Sequence, residues 1–127
     1  MSHITTVQTQ IRDLDALRAA LERLGCHLEG PGTIRGYFRQ MGHADHIIRL
    51  PGTQYTVGLV RQPDSTYRLL ADLWAGHVER VLGPRYGRLL QEYAVEVVTR
   101  SAAARRRTVQ TERMQDGRIR IRIGGRQ

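Results

Sequence analysis

A chain of 127 residues with 40% hydrophobic side chains has room for one domain and one core. Its single cysteine, Cys26, excludes an internal disulfide framework and a thiolate metal cluster, which favours a reducing compartment. The formal charge of +8 is unevenly placed: residues 1–99 carry 11 arginines against 10 acids, whereas residues 100–127 carry nine arginines against Glu112 and Asp116. All 20 basic residues are arginine, a usage that a G- and C-rich genome explains at every position and anion recognition at only some.

The opening MSHITTVQ has neither a basic region nor an apolar run, and no stretch approaches the ~18 apolar residues of a membrane span. The expectation is a cytoplasmic protein without a membrane segment. His3 to Gln8, with Thr5, Thr6 and Val7, has the β-branched character of a first strand. A helix is predicted from Leu14 to Leu24, with Asp13 as its N-cap, an apolar face of Leu14, Leu17, Leu21 and Leu24, and Gly25 as its left-handed terminator. Pro31-Gly32 then breaks the chain before a short strand, Thr33 to Phe38; Gln40-Met41-Gly42-His43 reads as a loop, and His46 to Leu50 as a further strand.

The stretch YTVGLVRQPDSTYRLLADLW, Tyr55 to Trp74, reads as a central hairpin. A three-residue loop, Pro63-Asp64-Ser65, sets Leu59 against Leu69, Val57 against Ala71 and Tyr55 against Leu73, so one side of the ribbon is apolar. The other side mixes Leu70 and Trp74 with Arg68, Asp72 and Gly58, which predicts a central position in the sheet with partial cover on that side too. After Trp74 the period becomes helical: Pro84 suits a helix start, and Tyr86, Leu90, Tyr93, Val97 and Ser101 mark a stripe widened by Leu89, Ala94 and Val98. The helix gives way at Arg105-Arg106-Arg107, where cations suit the C-terminal dipole.

The last element, TVQTERMQDGRIRIRI, is a second hairpin. A two-residue Asp-Gly turn would put Glu112 on the apolar face opposite Ile121. A three-residue loop with Gly117 left-handed sets Thr111 against Ile121 and Val109 against Ile123, leaves Arg118, Arg120 and Arg122 outside, and is preferred. The order of elements predicts an α+β domain over residues 1–123, a single antiparallel β-sheet with two α-helices packed mainly on one face, followed by a short tail, 124–127. Exposed first or last strands offer a route to a homodimer by strand pairing.

Four stretches together carry a family likeness: the opening MSHITTVQTQIRDLDALRAALERLG, the strand TYRLLADLW, the helix segment LLQEYAVEVV and the terminal hairpin with its Asp-Gly turn. In this order and spacing they resemble the uncharacterised hypothetical-chloroplast-reading-frame family of cyanobacteria, other bacteria, phages and red-algal plastids, nearly end to end. The resemblance implies no established activity. It implies a multi-component setting, with an AAA-type ATPase and a small ferredoxin-like protein as partners. The triple arginine and the Gly-Gly-Arg-Gln end lie outside the family pattern.

Three surfaces are candidates for function. Asp72 and Trp74 share a strand face and are followed by His77, a set suited to a docking groove because indole offers a large apolar face with one donor; the structural alternative is a capping tryptophan and an aspartate bonding the next loop. Arg118, Arg120 and Arg122, with Arg105, Arg106 and Arg107, form a basic patch able to neutralise phosphates, although no aromatic follows Tyr93 to stack bases. The Ile119 to Gly125 strand also resembles the end of ubiquitin-like modifiers, a carrier reading that requires trimming of Arg126-Gln127. The histidines, including the His43/His46 pair, His27 beside Cys26, and His77, lack the number and spacing of a metal site, and His3 at the terminus is incidental. No phosphate loop, serine elbow or activated cysteine is present, so no cofactor and no catalytic residue is expected. The preferred expectation is therefore a non-enzymatic binding or adaptor protein, with nucleic-acid or polyanion binding second.

Overall fold

A computed structural model describes residues 4–37, 39–105 and 107–126. The chain is α+β. Strands β1 (Ile4–Gln8), β2 (His27–Glu29), β5 (His46–Arg49), β6 (Thr56–Arg61) and β7 (Tyr67–Asp72) form a five-stranded antiparallel sheet in the order β1-β7-β6-β5-β2. Two separate two-stranded ribbons accompany it, β3 (Gly32–Gly36) with β4 (Arg39–Ala44), and β8 (Arg107–Arg113) with β9 (Ile119–Arg126). The helices are α1 (Leu14–Arg23), a short α2 (His77–Leu82) and α3 (Gly87–Ala104).

The central hairpin has its expected register, Leu59 opposite Leu69 and Gly58 opposite Leu70, and β6 and β7 occupy the middle of the sheet. On one face Val57, Leu59, Leu69 and Ala71 pack with Leu17 and Leu21 of α1, Val78 and Leu82 of α2, and Leu89 of α3. The other face is covered by the β3–β4 ribbon through Ile34 and Ala44. Gly58 permits this approach: a Cβ there would stand 2.7 Å from Ile34 side-chain carbons and 2.9 Å from the Ala44 Cβ. Two buried side chains also fasten the ribbon, Thr56 Oγ1 accepting from the Arg35 N–H (2.8 Å) and Asp72 Oδ2 from the Tyr37 N–H (2.8 Å).

Helix α1 follows its sequence signals closely. Asp13 Oδ1 accepts from the Ala16 N–H (3.0 Å), and Gly25 at φ +78° closes the helix with Gly25 N–H to Glu22 O and Cys26 N–H to Leu21 O.

Four expectations need correction. The single sheet is a sheet plus two ribbons, because the β3–β4 pair lies across the face of the main sheet instead of extending its edge. The expected loop Gln40–His43 is β4, paired Thr33 to His43 and Arg35 to Gln40. A third, six-residue helix, α2, fills the segment after Trp74. The terminal strand runs through Gly124 and Gly125 to Arg126, which pairs with Arg107, so the ladder continues beyond Ile123.

The stripe read on α3 meets the core in part: Tyr86 and Leu89 are buried, and Leu90 and Tyr93 pack against the main core. The fully buried positions are Leu89, Glu92, Val95 and Ala102, whereas Val97 is 37% exposed. Leu90, Tyr93, Ala94, Val97 and Val98 also line an open cleft of about 800 Å³ beside the segment that follows β1. Periodicity locates an apolar face without saying which of two neighbouring faces meets the sheet. Glu92 is buried where Arg23 and Arg113 pair with it.

Candidate binding surface

The end of the central hairpin gathers residues from three parts of the chain. β7 stops at Asp72, which is 1% exposed and uses both carboxylate oxygens: Oδ1 accepts from the Trp74 N–H (2.9 Å) and Oδ2 from the Tyr37 N–H (2.8 Å). One buried anion thereby fixes the strand end and the tip of the β3–β4 ribbon together, and each such charge-assisted bond is stronger than a neutral one. The two residues it positions are exposed aromatics. Tyr37 is 57% and Trp74 50% exposed, and their rings meet edge to face with centroids 5.9 Å apart.

Backbone strain occurs here too, as it does at Ser65 and at Arg85–Tyr86. Ala75 (φ +63°) and Gly76 (φ +73°) are consecutive left-handed residues, and a non-glycine residue in that region costs about 1–3 kcal/mol. They turn the chain sharply from Trp74 into α2. His77, the first residue of α2, packs its ring on Tyr55 (centroids 4.6 Å, 52°), and its Nδ1 is buried without a hydrogen-bond partner among the described residues. Burial, with smaller contributions from the Asp72 and Tyr37 charges, holds the Tyr55 phenol above its ordinary pKa. The result is a platform of Tyr37 and Trp74 over a base of Asp72, Tyr55 and His77. It offers a large apolar contact with polar tips, the composition of a docking surface.

Sequence reading put Asp72 and Trp74 on one strand face with His77 after them; in the structure β7 ends at Asp72, Trp74 opens a short 3-10 turn tied to Asp72 by its N–H, and His77 packs on Tyr55. It missed Tyr37, whose backbone meets Asp72 across 35 residues of sequence, and Tyr55. The structural alternative for Asp72 also holds, since its carboxylate bonds the loop that follows.

The basic residues are arranged differently from the expected single patch. Arg120 and Arg122 share the outer face of β9 with Gln110 and Glu112, and Arg120 lies 3.6 Å from Glu112. Arg118 belongs to the turn, ion-paired to Asp116 (2.6 Å), and borders a cleft with Arg88 and Gln91 of α3. Arg105 caps the C-terminus of α3; Arg106 lies outside the described residues, as does the Arg107 side chain. The acids beside the ribbon thus offset part of its charge.

A second charge cluster ties the ribbon to the body. Glu92, 5% exposed on α3, receives Arg23 of α1 (3.0 Å) and Arg113 of β8 (3.1 Å), while Glu96 bridges Arg23 (2.7 Å) and Arg100 (2.8 Å). The Arg113 hydrogen bond, then that of Arg23, holds the Glu92 carboxyl below its usual range against the opposing effect of burial. Cys26 is buried, and burial pushes its thiol up to about 11, which leaves it a protonated packing residue at neutral pH. No three His, Cys, Asp or Glu side chains converge as a metal site among the described residues, and none of the described helices is long and apolar enough to cross a membrane.

Comparison with known proteins agrees with the likeness read from the sequence. No solved structure matches the chain. The uncharacterized protein ycf35 of Cyanophora paradoxa is 30% identical over 99 residues, spanning 77% of this chain and 76% of that protein. The family model described as "protein of unknown function (DUF1257)" matches residues 20–122, which take in the platform, α2, α3 and most of the terminal ribbon; the chain belongs to the DUF1257 family.

Proposed function

We propose that the chain is a non-enzymatic binding or adaptor protein whose docking surface is the Tyr37–Trp74 platform at the end of the central hairpin. The observation that carries this reading is the use of a fully buried aspartate and a strained turn to hold two large aromatics half in solvent. Aromatic side chains usually bury their area, and exposing two in contact while fixing both backbones suits a preformed contact surface. The partner is a protein of a larger assembly, with an AAA-type ATPase as the class to look for first. Nucleic acid or another polyanion at Arg120 and Arg122 is the competing reading, weakened by the neighbouring Glu112.

The test is affinity capture from the native host at moderate salt, with nuclease-treated and untreated halves, using wild-type bait and a Tyr37→Ser, Trp74→Ser double variant. The expected outcome is one protein set recovered in both wild-type halves and lost with the variant, whose thermal unfolding stays close to wild type. Recovery that collapses on nuclease treatment, and that falls with Arg120→Gln, Arg122→Gln instead, transfers the function to the basic ribbon.

A further inference from the structure

The two edges of the five-stranded sheet are built unlike each other. Edge strand β2 has three residues, carries Glu29 ion-paired to Arg49, and is followed directly by Gly30-Pro31, so it is short, charged and interrupted. Edge strand β1, Ile4-Thr5-Thr6-Val7-Gln8, pairs only with β7 among the described residues, and it has no charge, no proline and no glycine. Its outer backbone groups form a row of donors and acceptors with no strand beside them among the described residues, on a sequence of high β-propensity.

We propose that the open edge of β1 pairs antiparallel with β1 of a second copy of this chain, about a two-fold axis at Thr6. Such an interface must be complementary to itself, and an uncharged strand meets that condition because no like charges are brought opposite one another. The register sets Thr6 against Thr6, Thr5 against Val7, and Ile4 against Gln8. The charge of the chain does not oppose the approach: residues 1–99 carry 11 arginines against 10 acids, and the excess lies in residues 100–127.

A five-residue ladder is a small contact by itself, and the flanks of β1 enlarge it. A cleft of about 410 Å³ under the strand is lined by Val7, Leu73, Val78 and Tyr86 with Glu79 and Arg85 at its side, and the larger cleft beyond Gln8 by Leu90 and Val97 with Arg12, Asp13 and Asp64. A two-fold axis normal to the sheet places the helical layers of both copies on the same side. The mixed clefts of one copy then face those of the other, adding apolar contact and opposite charges, Glu79 and Arg85 among them, to the ladder.

The experiment is light scattering on size-separated full chain from the low-micromolar to the near-millimolar range. Thr6 is exposed, so substitutions there leave the monomer fold intact. Wild type is expected to run at twice the chain mass. Thr6→Arg and Thr6→Glu, each alone, are expected to run as monomers with unchanged circular dichroism and thermal midpoint, and an equal mixture of the two to recover the dimer by charge pairing across the axis. A wild-type monomer over the whole range overturns the proposal, as does a dimer that Thr6→Arg leaves intact.

Discussion

The central and terminal hairpins are built on the same turn and meet different fates. In the first, Ser65 N–H bonds Gln62 O, Gln62 N–H bonds Thr66 O, Asp64 Oδ1 accepts from the Thr66 N–H, and Ser65 is left-handed at φ +71°. In the second, Gly117 N–H bonds Met114 O, Met114 N–H bonds Arg118 O, Asp116 Oδ1 accepts from the Arg118 N–H, and Gly117 is left-handed at φ +90°. Turn chemistry therefore sets register in both, whatever the surroundings. The central pair is flanked by β1 and β5, covered by helices on one face and by the β3–β4 ribbon on the other. The terminal pair has no neighbouring strand among the described residues; it rests on α3, leaves Ile123 54% exposed, and is held by Arg113–Glu92 and by Gln91 Nε2 donating to Gly117 O (2.8 Å). An isolated two-stranded ribbon is marginal, so this one depends on polar anchors where the central one depends on burial.

That contrast is broken most forcefully at Gly58. Gly58→Val drives a side chain into Ile34 and Ala44 and is expected to destabilise the whole domain by about 3 kcal/mol, read as a fall in the denaturation midpoint; an unchanged midpoint means the ribbon does not press on the sheet.

Glu92→Gln acts on the other hairpin. It removes the charge that two arginines share, and amide exchange in residues 107–126 is expected to rise by the equivalent of about 1–2 kcal/mol, with the exchange of β6 and β7 little altered. Acid reproduces the effect. The folded Glu92 carboxyl lies below its ordinary value, so its stabilisation is complete above the unfolded pKa of about 4.3 and is lost as pH falls through the lower folded value. Exchange that stays flat across that interval dissociates the ribbon's stability from this anion.

The smallest effects come from exchanging the third turn residues. Gly117→Ala forces a Cβ into a left-handed position at a cost of about 1 kcal/mol, felt locally, while Ser65→Gly relieves the same strain and raises the global midpoint by about 0.5 kcal/mol. Equal and opposite shifts in both hairpins would show that the turns alone, not their surroundings, decide the response.

Much of the molecule was legible because it is specified by near neighbours. Asp13 and Gly25 bound α1, and the alternation around Pro63-Asp64-Ser65 and Gln115-Asp116-Gly117 selects one register for each hairpin, since a slip of one residue turns the apolar set outward. The bond between Asp72 and the Trp74 N–H was legible for the same reason: the two stand two residues apart along the chain. What the sequence could not settle depends on residues far apart. Tyr37 reaches Asp72 only when the β3–β4 ribbon crosses the sheet, and that crossing depends on the missing Cβ of Gly58. The burial of Glu92 on α3 likewise depends on Arg23 and Arg113 converging on it, which periodicity cannot register because it counts apolar positions and not the cations that make a buried carboxylate tolerable. Local pattern determined the elements and their registers; tertiary structure decided which faces meet, because that choice rests on close packing and charge pairing between distant segments.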